Sequence, residues 1–131
     1  MSAREEGKVY FQKGKFAAAA QSYTEAITDE PNHAPLFQNR ALCYQKLGQW
    51  EKMRADASKA LELHESSVKG HYLLGTAEMN LENFEAAESS FKRALTLSAG
   101  DSSGYKSSVE QGLYNVYTKK KDQQQELYTP S

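Results

Sequence analysis

The sequence predicts an all-α fold, in which three helix–turn–helix repeats form a right-handed superhelical array and a seventh helix caps the last repeat. Three observations indicate this fold. Residue types recur every 34 positions through the first 97 residues. Nothing between Pro35 and Pro130 forces a break in helical structure, because no proline lies between them. An apolar pattern of helical spacing then returns once more near the C-terminal end.

The period of 34 residues is visible at six positions in each of three copies. A small residue lets the two helices of a repeat approach closely, and an aromatic residue just after the turn packs back onto the first helix. The recurring sets are Gly7, Ala41 and Gly75; Phe16, Trp50 and Phe84; Ala19, Met53 and Ala87; Tyr23, Ala57 and Phe91; Ala26, Ala60 and Ala94; and Ile27, Leu61 and Leu95. The period is that of the tetratricopeptide repeat (TPR).

The helix bounds follow from this period and from turn residues. The repeats occupy about 1–33, 34–67 and 68–97. Gly14 and Gly48 mark the turns inside the first two repeats, and Glu82 takes that place in the third. The six predicted helices are Ala3–Lys13, Phe16–Thr28, Ala34–Lys46, Trp50–Leu63, Val68–Leu81 and Phe84–Leu97.

The repeat ends after Leu97. Serine, glycine and aspartate predict a loop over 98–104. A capping helix is predicted over 105–125, because Val109, Leu113, Val116 and Tyr117 recur on one helical face. Such a helix would cover the apolar face that an open array leaves exposed. Residues 126–131 are predicted to form a tail.

Composition and motifs argue against several functions. The net charge of −1 lacks the basic excess of a nucleic-acid binder, and no apolar stretch has the length of a signal peptide or membrane span. The single Cys43 and scattered histidines show no metal-ligand spacing, and no catalytic or cofactor motif is present. His33 and His64 are expected at the surface near repeat junctions. We expect a reducing compartment, the cytoplasm or the nucleus.

Three stretches carry a closer resemblance: Asn39 to Tyr44, Lys59 to Leu63, and Ser67 to Gly75. They resemble chaperone-binding TPR domains, and most of all the CHIP family of co-chaperone ubiquitin ligases. The resemblance implies a carboxylate clamp. In such a clamp, the groove holds the free C-terminal tail of heat-shock chaperones of the seventy and ninety classes, typically ending Glu-Glu-Val-Asp.

The resemblance also implies the peptide-binding residues, position by position. Lys8 stands where the family has asparagine, and Ser108 stands where the CHIP family carries aspartate. Both departures put affinity and chaperone preference in question more than the binding mode. The full set implied is Arg4, Lys8, Asn39, Lys69, Tyr72, Tyr105 and Ser108.

The chemistry of four of these residues suits an anion independently of the resemblance. Arg4 and Lys8 are four residues apart and project from one face of the first helix. Asn39 lies on the next inner helix and donates from its amide. Lys69 begins the third inner helix, near its positive end. A tail that ends in aspartate presents two carboxylates to these donors.

Several alternatives remain at the level of sequence. Lys69 by itself is an ordinary solvated lysine, and Arg4 and Lys8 can pair with Glu5 or a neighbouring acid. The groove can serve a general scaffold that binds an internal peptide or helix, or the targeting domain of an immunophilin or phosphatase. A CHIP-like parent would be a ubiquitin ligase that recruits its ubiquitin-conjugating enzyme through a U-box outside these residues.

Overall fold

A computed structural model describes residues 1–100 and 104–128 of the chain. These residues form seven α-helices and no strand, which confirms the all-α prediction. Residues 98–100 form a short 3₁₀ turn between the last two helices. The α-helices are α1 (Ala3–Gln12), α2 (Phe16–Asp29), α3 (Ala34–Leu47), α4 (Trp50–Leu63), α5 (Val68–Asn80), α6 (Phe84–Leu97) and α7 (Lys106–Tyr128).

Each helix packs against the next one along the chain, from α1 through α7. Contacts that skip one helix occur between α3 and α5 and between α5 and α7. The odd-numbered helices after α1 therefore share one side of the array, as the inner helices of a stacked repeat do. No described helix is both long and apolar enough to cross a membrane.

The turn inside each repeat contains one residue in the left-handed region. Gly14 and Gly48 have φ values of 76° and 68°, and Glu82 has a φ of 63°. A backbone hydrogen bond of 2.9 Å closes each turn, from Lys15 to Tyr10, from Gln49 to Tyr44 and from Asn83 to Glu78. Glycine adopts this conformation without steric cost, whereas a residue with a Cβ loses about 1 kcal/mol there. The third turn is therefore strained.

The small residues of the repeat are explained by the aromatic rings that they face. A Cβ added at Gly7 would lie 2.9 Å from the ring of Tyr23, and one added at Gly75 would lie 2.7 Å from Phe91. In the second repeat both corresponding positions are small, Ala41 and Ala57, and both are fully buried. In the first and third repeats a glycine faces a large ring, whereas in the second repeat two alanines occupy the same two positions.

The capping helix α7 covers the third repeat through the buried residues Val109, Leu113 and Val116, which join the core cluster around Phe91. It begins at Lys106 and ends at Tyr128, so the predicted end at 125 is wrong, and the tail expected at 126–131 is helical at 126–128. Residues 129–131, and residues 101–103 of the predicted loop, lie outside the described residues. The other helix ends differ from the prediction by one residue at most.

Buried polar contacts tie the first two repeats together. Arg40 of α3 donates from Nε and Nη2 to both carboxylate oxygens of Asp56 of α4, at 2.8 and 2.7 Å, and from Nη1 to Thr24 of α2 at 3.0 Å. This paired geometry satisfies a buried carboxylate. The bond to Asp56 raises the pKa of Arg40, so the guanidinium stays charged.

Other polar contacts join the second and third repeats. Gln38 of α3 donates to the hydroxyl of Ser67 at 3.0 Å, and this hydroxyl caps α5 by accepting the N–H of Gly70 at 2.9 Å. Arg54 of α4 reaches Glu78 of α5 at 3.4 Å, with its own side chain 41% exposed. This ion pair is longer and more exposed than the Arg40 pair and contributes less.

Candidate functional site

Three of the predicted site residues line one hollow between α1 and α3, which we call the first hollow. These residues are Arg4, Lys8 and Asn39. Its volume is about 470 Å³, and its remaining lining residues are Phe11, Gln12, Tyr23, His33, Pro35, Leu36 and Leu42. Repeat geometry brings these residues together because α1 and α3 occupy equivalent positions in consecutive units.

The first hollow is positively charged. Lys8 has no hydrogen bond or ion pair within residues 1–100 and 104–128, and neither does the amide of Asn39. Arg4 differs, because its Nη2 donates to Oε2 of Glu30 at 2.6 Å. A neighbouring acid thus does pair with Arg4, as the alternative interpretation allowed, and that acid is Glu30 at the end of α2. No Asp or Glu lines the hollow itself.

Lys69 is the second residue of α5 and lines neither the first hollow nor the hollow at α7 described next. It is half-buried and has no ion pair within the described part of the chain. Burial lowers the pKa of its ammonium group. A cation at the positive end of a helix, half-buried and without a counter-charge, is unfavourable in isolation and is stabilised by a bound anion.

The hollow between α5 and α7, which we call the second hollow, contains Tyr72 and Ser108. Its volume is about 410 Å³ and no charged side chain lines it. The ring centroid of Tyr72 lies 6.1 Å from that of Phe91 and 5.4 Å from that of Tyr105. Tyr105 therefore supports Tyr72 and is not itself a lining residue. The other lining residues are Thr76, Met79, Asn80, Phe91, Ser107, Gln111, Gly112 and Asn115.

An apolar core connects the two hollows. Leu42, which lines the first hollow, and Tyr72, which lines the second, both pack against one cluster. The cluster consists of Ala41, Met53, Ala57, Leu73 and Ala77. An extended peptide that occupied both hollows would run over this shared floor, with a charged end and a neutral end.

Sequence reasoning missed two polar residues of the first hollow, Gln12 and His33. Gln12 lies four residues after Lys8, so the helical period carried a signal for it. His33 was expected at the surface of a repeat junction. It is half-buried and lines the hollow, and the helical period does not indicate this because His33 precedes α3.

Cys43 is fully buried among the core residues of the first two repeats. Burial raises the pKa of its thiol to about 11, so the thiolate is scarce at neutral pH. Within the described residues no cluster of His, Cys, Asp or Glu is arranged to hold a metal ion. Cys43 is therefore a packing residue.

The fold and the groove define a helical-repeat domain with a ligand-sized concavity lined by donors. A family model described as "TPR repeat" matches residues 7–48, and one described as "Tetratricopeptide repeat" matches residues 39–102. The chain belongs to the tetratricopeptide repeat family. This confirms the family predicted from the 34-residue period.

Comparison with related proteins and solved structures shows which TPR domains the chain resembles. The chain is 42% identical over 94 residues to the E3 ubiquitin-protein ligase CHIP of Arabidopsis thaliana, covering 72% of this chain and 34% of that protein. It thus spans about a third of that relative's length. The TPR2B domain of yeast Sti1, solved in a complex with "pHsp70", has a TM-score of 0.85 at 29% identity, covering 89% of this chain and 94% of that one.

A second similar structure is the NMR structure of the second TPR domain of human RPAP3 in complex with the HSP70 peptide SGPTIEEVD. Its TM-score is 0.80 at 28% identity, and the match covers 88% of this chain and 92% of that chain. The predicted resemblance to chaperone-binding TPR domains is thereby confirmed, including that to CHIP.

Proposed function

We propose that this domain binds the acidic C-terminal tail of heat-shock chaperones of the Hsp70 and Hsp90 classes, ending Glu-Glu-Val-Asp, in a carboxylate clamp. One observation carries the proposal. Lys8, Asn39 and Lys69 lie on three successive inner helices, and within the described residues none has a protein partner. Side-chain donors left free in this way on one side of an array are suited to a bound anion.

The clamp acts by charge-assisted hydrogen bonding. A hydrogen bond that involves a charged group contributes roughly 1.5–3 kcal/mol, so two or three of them fix the position of a flexible tail. The first hollow carries Arg4 and Lys8 and no acid, and it takes the terminal carboxylates. The second hollow carries no charge, and it takes an uncharged residue further upstream.

The comparisons support this assignment by analogy. Structures similar to this chain include a yeast Sti1 domain in a "pHsp70" complex and a human RPAP3 domain with a peptide ending EEVD. The identity of 42% to a CHIP ubiquitin ligase supports a further proposal about the parent protein. A CHIP-like parent transfers ubiquitin through a separate domain, while this domain recruits the chaperone.

The competing function is a scaffold that binds an internal peptide or helix. The neutral second hollow and the replacement of a family aspartate by Ser108 favour it, because neither feature requires a free C-terminus. The two functions differ in one requirement. Only the clamp depends on the terminal carboxylate.

The test is titration calorimetry with a peptide ending Glu-Glu-Val-Asp, as the free acid and as the C-terminal amide. We expect the free acid to bind much more tightly. Asn39→Ala or Lys69→Ala should each weaken binding by about 2–5 kcal/mol, because a carboxylate in the groove is left partly unpaired. Lys59→Ala on the outer helix α4 makes the same charge change as Lys69→Ala and should leave the affinity unchanged.

Equal binding of the acid and the amide would rule out the clamp and favour the scaffold. Equal loss from the Lys59 and Lys69 variants would show that only net charge matters.

A further inference from the structure

His33 is the N-cap residue of α3, and its ring lines the first hollow together with Arg4 and Lys8. It makes no side-chain capping hydrogen bond. Within residues 1–100 and 104–128, its ring nitrogens have no hydrogen-bond or ion-pair partner. A polar ring thus lines a positively charged hollow without bonding to the protein.

The corresponding position in the next repeat, 34 residues later, is Ser67. Its hydroxyl accepts the N–H of Gly70 at 2.9 Å and caps α5. Serine is a preferred N-cap residue because it satisfies one of the free N–H groups at a helix start. Histidine at position 33 leaves α3 without this bond, so what the residue contributes at this position is its ring in the hollow.

We propose that His33 is a ligand-binding residue of the groove, which donates from its imidazole to a carboxylate of the bound tail. This inference rests on the proposed function. It adds a donor that the clamp of Arg4, Lys8, Asn39 and Lys69 does not contain.

The charged and polar groups around His33 favour an anionic ligand. From α1 the hollow receives the cations Arg4 and Lys8, and from α3 the neutral Asn39. From α2 it receives Tyr23, whose pKa is raised by burial so that its phenol stays neutral. Glu30 lies behind Arg4 and is bound to it.

The experiment compares His33→Ser with the wild-type domain, using a peptide ending Glu-Glu-Val-Asp as the probe. Serine supplies the cap seen at Ser67 and removes the ring from the hollow. We expect the melting temperature to rise by about 2–6 °C and the affinity to fall roughly five-fold at neutral pH.

Two further variants complete the design. His33→Gln keeps a neutral donor, so it should restore part of the affinity that His33→Ser loses. His64→Ser changes an exposed histidine at the next repeat junction, outside the hollow, and should keep the wild-type affinity.

A His33→Ser domain with wild-type affinity would overturn the inference. So would a variant that loses affinity together with stability, because that result assigns His33 a structural role. A wild-type domain that binds no acidic tail would overturn the proposed function and this inference together.

Discussion

The two hollows of the groove have the same architecture but different chemistry. Each lies between two inner helices, yet the first is lined by Arg4 and Lys8 and the second by no charged side chain. The repeat specifies which positions pack and leaves the exposed positions of the inner helices free to vary. The residues that follow the 34-residue period therefore indicate the fold, whereas the inner-helix residues that differ between repeats indicate the binding site.

The aromatic rings next to the two hollows are also packed differently. Tyr23 packs against Gly7, and both Tyr23 and Phe91 line the hollow next to them. Phe91 is held on two sides, because a Cβ added at Gly75 would lie 2.7 Å from its ring and one added at Gly112 would lie 2.8 Å from it. The ring of Phe91 has less room to move than that of Tyr23.

The largest expected effect concerns these rings. Gly75→Ala should destabilise the domain by about 2 kcal/mol, because the new methyl group overpacks a ring that Gly112 also approaches closely. Gly7→Ala should change stability by less than about 1 kcal/mol, because Tyr23 can shift toward the open hollow and alanine favours the helix. Urea unfolding followed by circular dichroism measures both. Equal losses of stability would mean that the rings of Tyr23 and Phe91 are equally restricted.

The second prediction concerns charge. Lys8→Gln should weaken binding of the acidic tail about ten-fold and reduce the dependence of the affinity on salt, because one charged hydrogen bond is lost. Ser108→Ala in the second hollow should weaken binding less than about three-fold, with the salt dependence unchanged. Calorimetric titrations at low and high ionic strength separate the two. A similar loss of salt dependence in both variants would contradict the assignment of the tail's carboxylates to the first hollow.

The smallest expected effect concerns Arg4, which Glu30 holds at 2.6 Å from outside the hollow. Glu30→Gln should tighten binding about two-fold, because the tail no longer competes with an internal carboxylate for the guanidinium. Asp29→Asn is the matched control. Asp29 and Glu30 line the same neighbouring cavity, but only Glu30 bonds to Arg4. Equal tightening in both variants would indicate general electrostatics, and weaker binding of Glu30→Gln would mean that Glu30 positions Arg4.

The fold could be predicted because it depends on local and periodic features. Phe16, Trp50 and Phe84 each begin a helix, as predicted, since the same turn precedes each of them. The end of α7 was not predictable in this way. Its polar C-terminal half has no apolar period that distinguishes a solvated helix from a tail.

The site was only partly predictable. Arg4, Lys8 and Asn39 come together because they occupy inner helices at related phases of the repeat. The Arg4–Glu30 pair joins residues 26 positions apart, outside any helical or repeat period. His33 gave no sequence signal either, because a junction residue has no helical face to place it on.

The hydrogen bonds of Arg40 to Asp56 and Thr24 affect the order in which the domain opens. One guanidinium joins three helices of the first two repeats. The third repeat shares an apolar cluster with the second, but the polar contacts described at that junction are the Gln38–Ser67 bond and a longer, more exposed ion pair. Repeat arrays lose structure at their weakest junction first. Amide protons of α5 to α7 should then exchange with deuterium before those of α2 to α4, and a tail bound across both hollows would bridge that junction and slow the exchange.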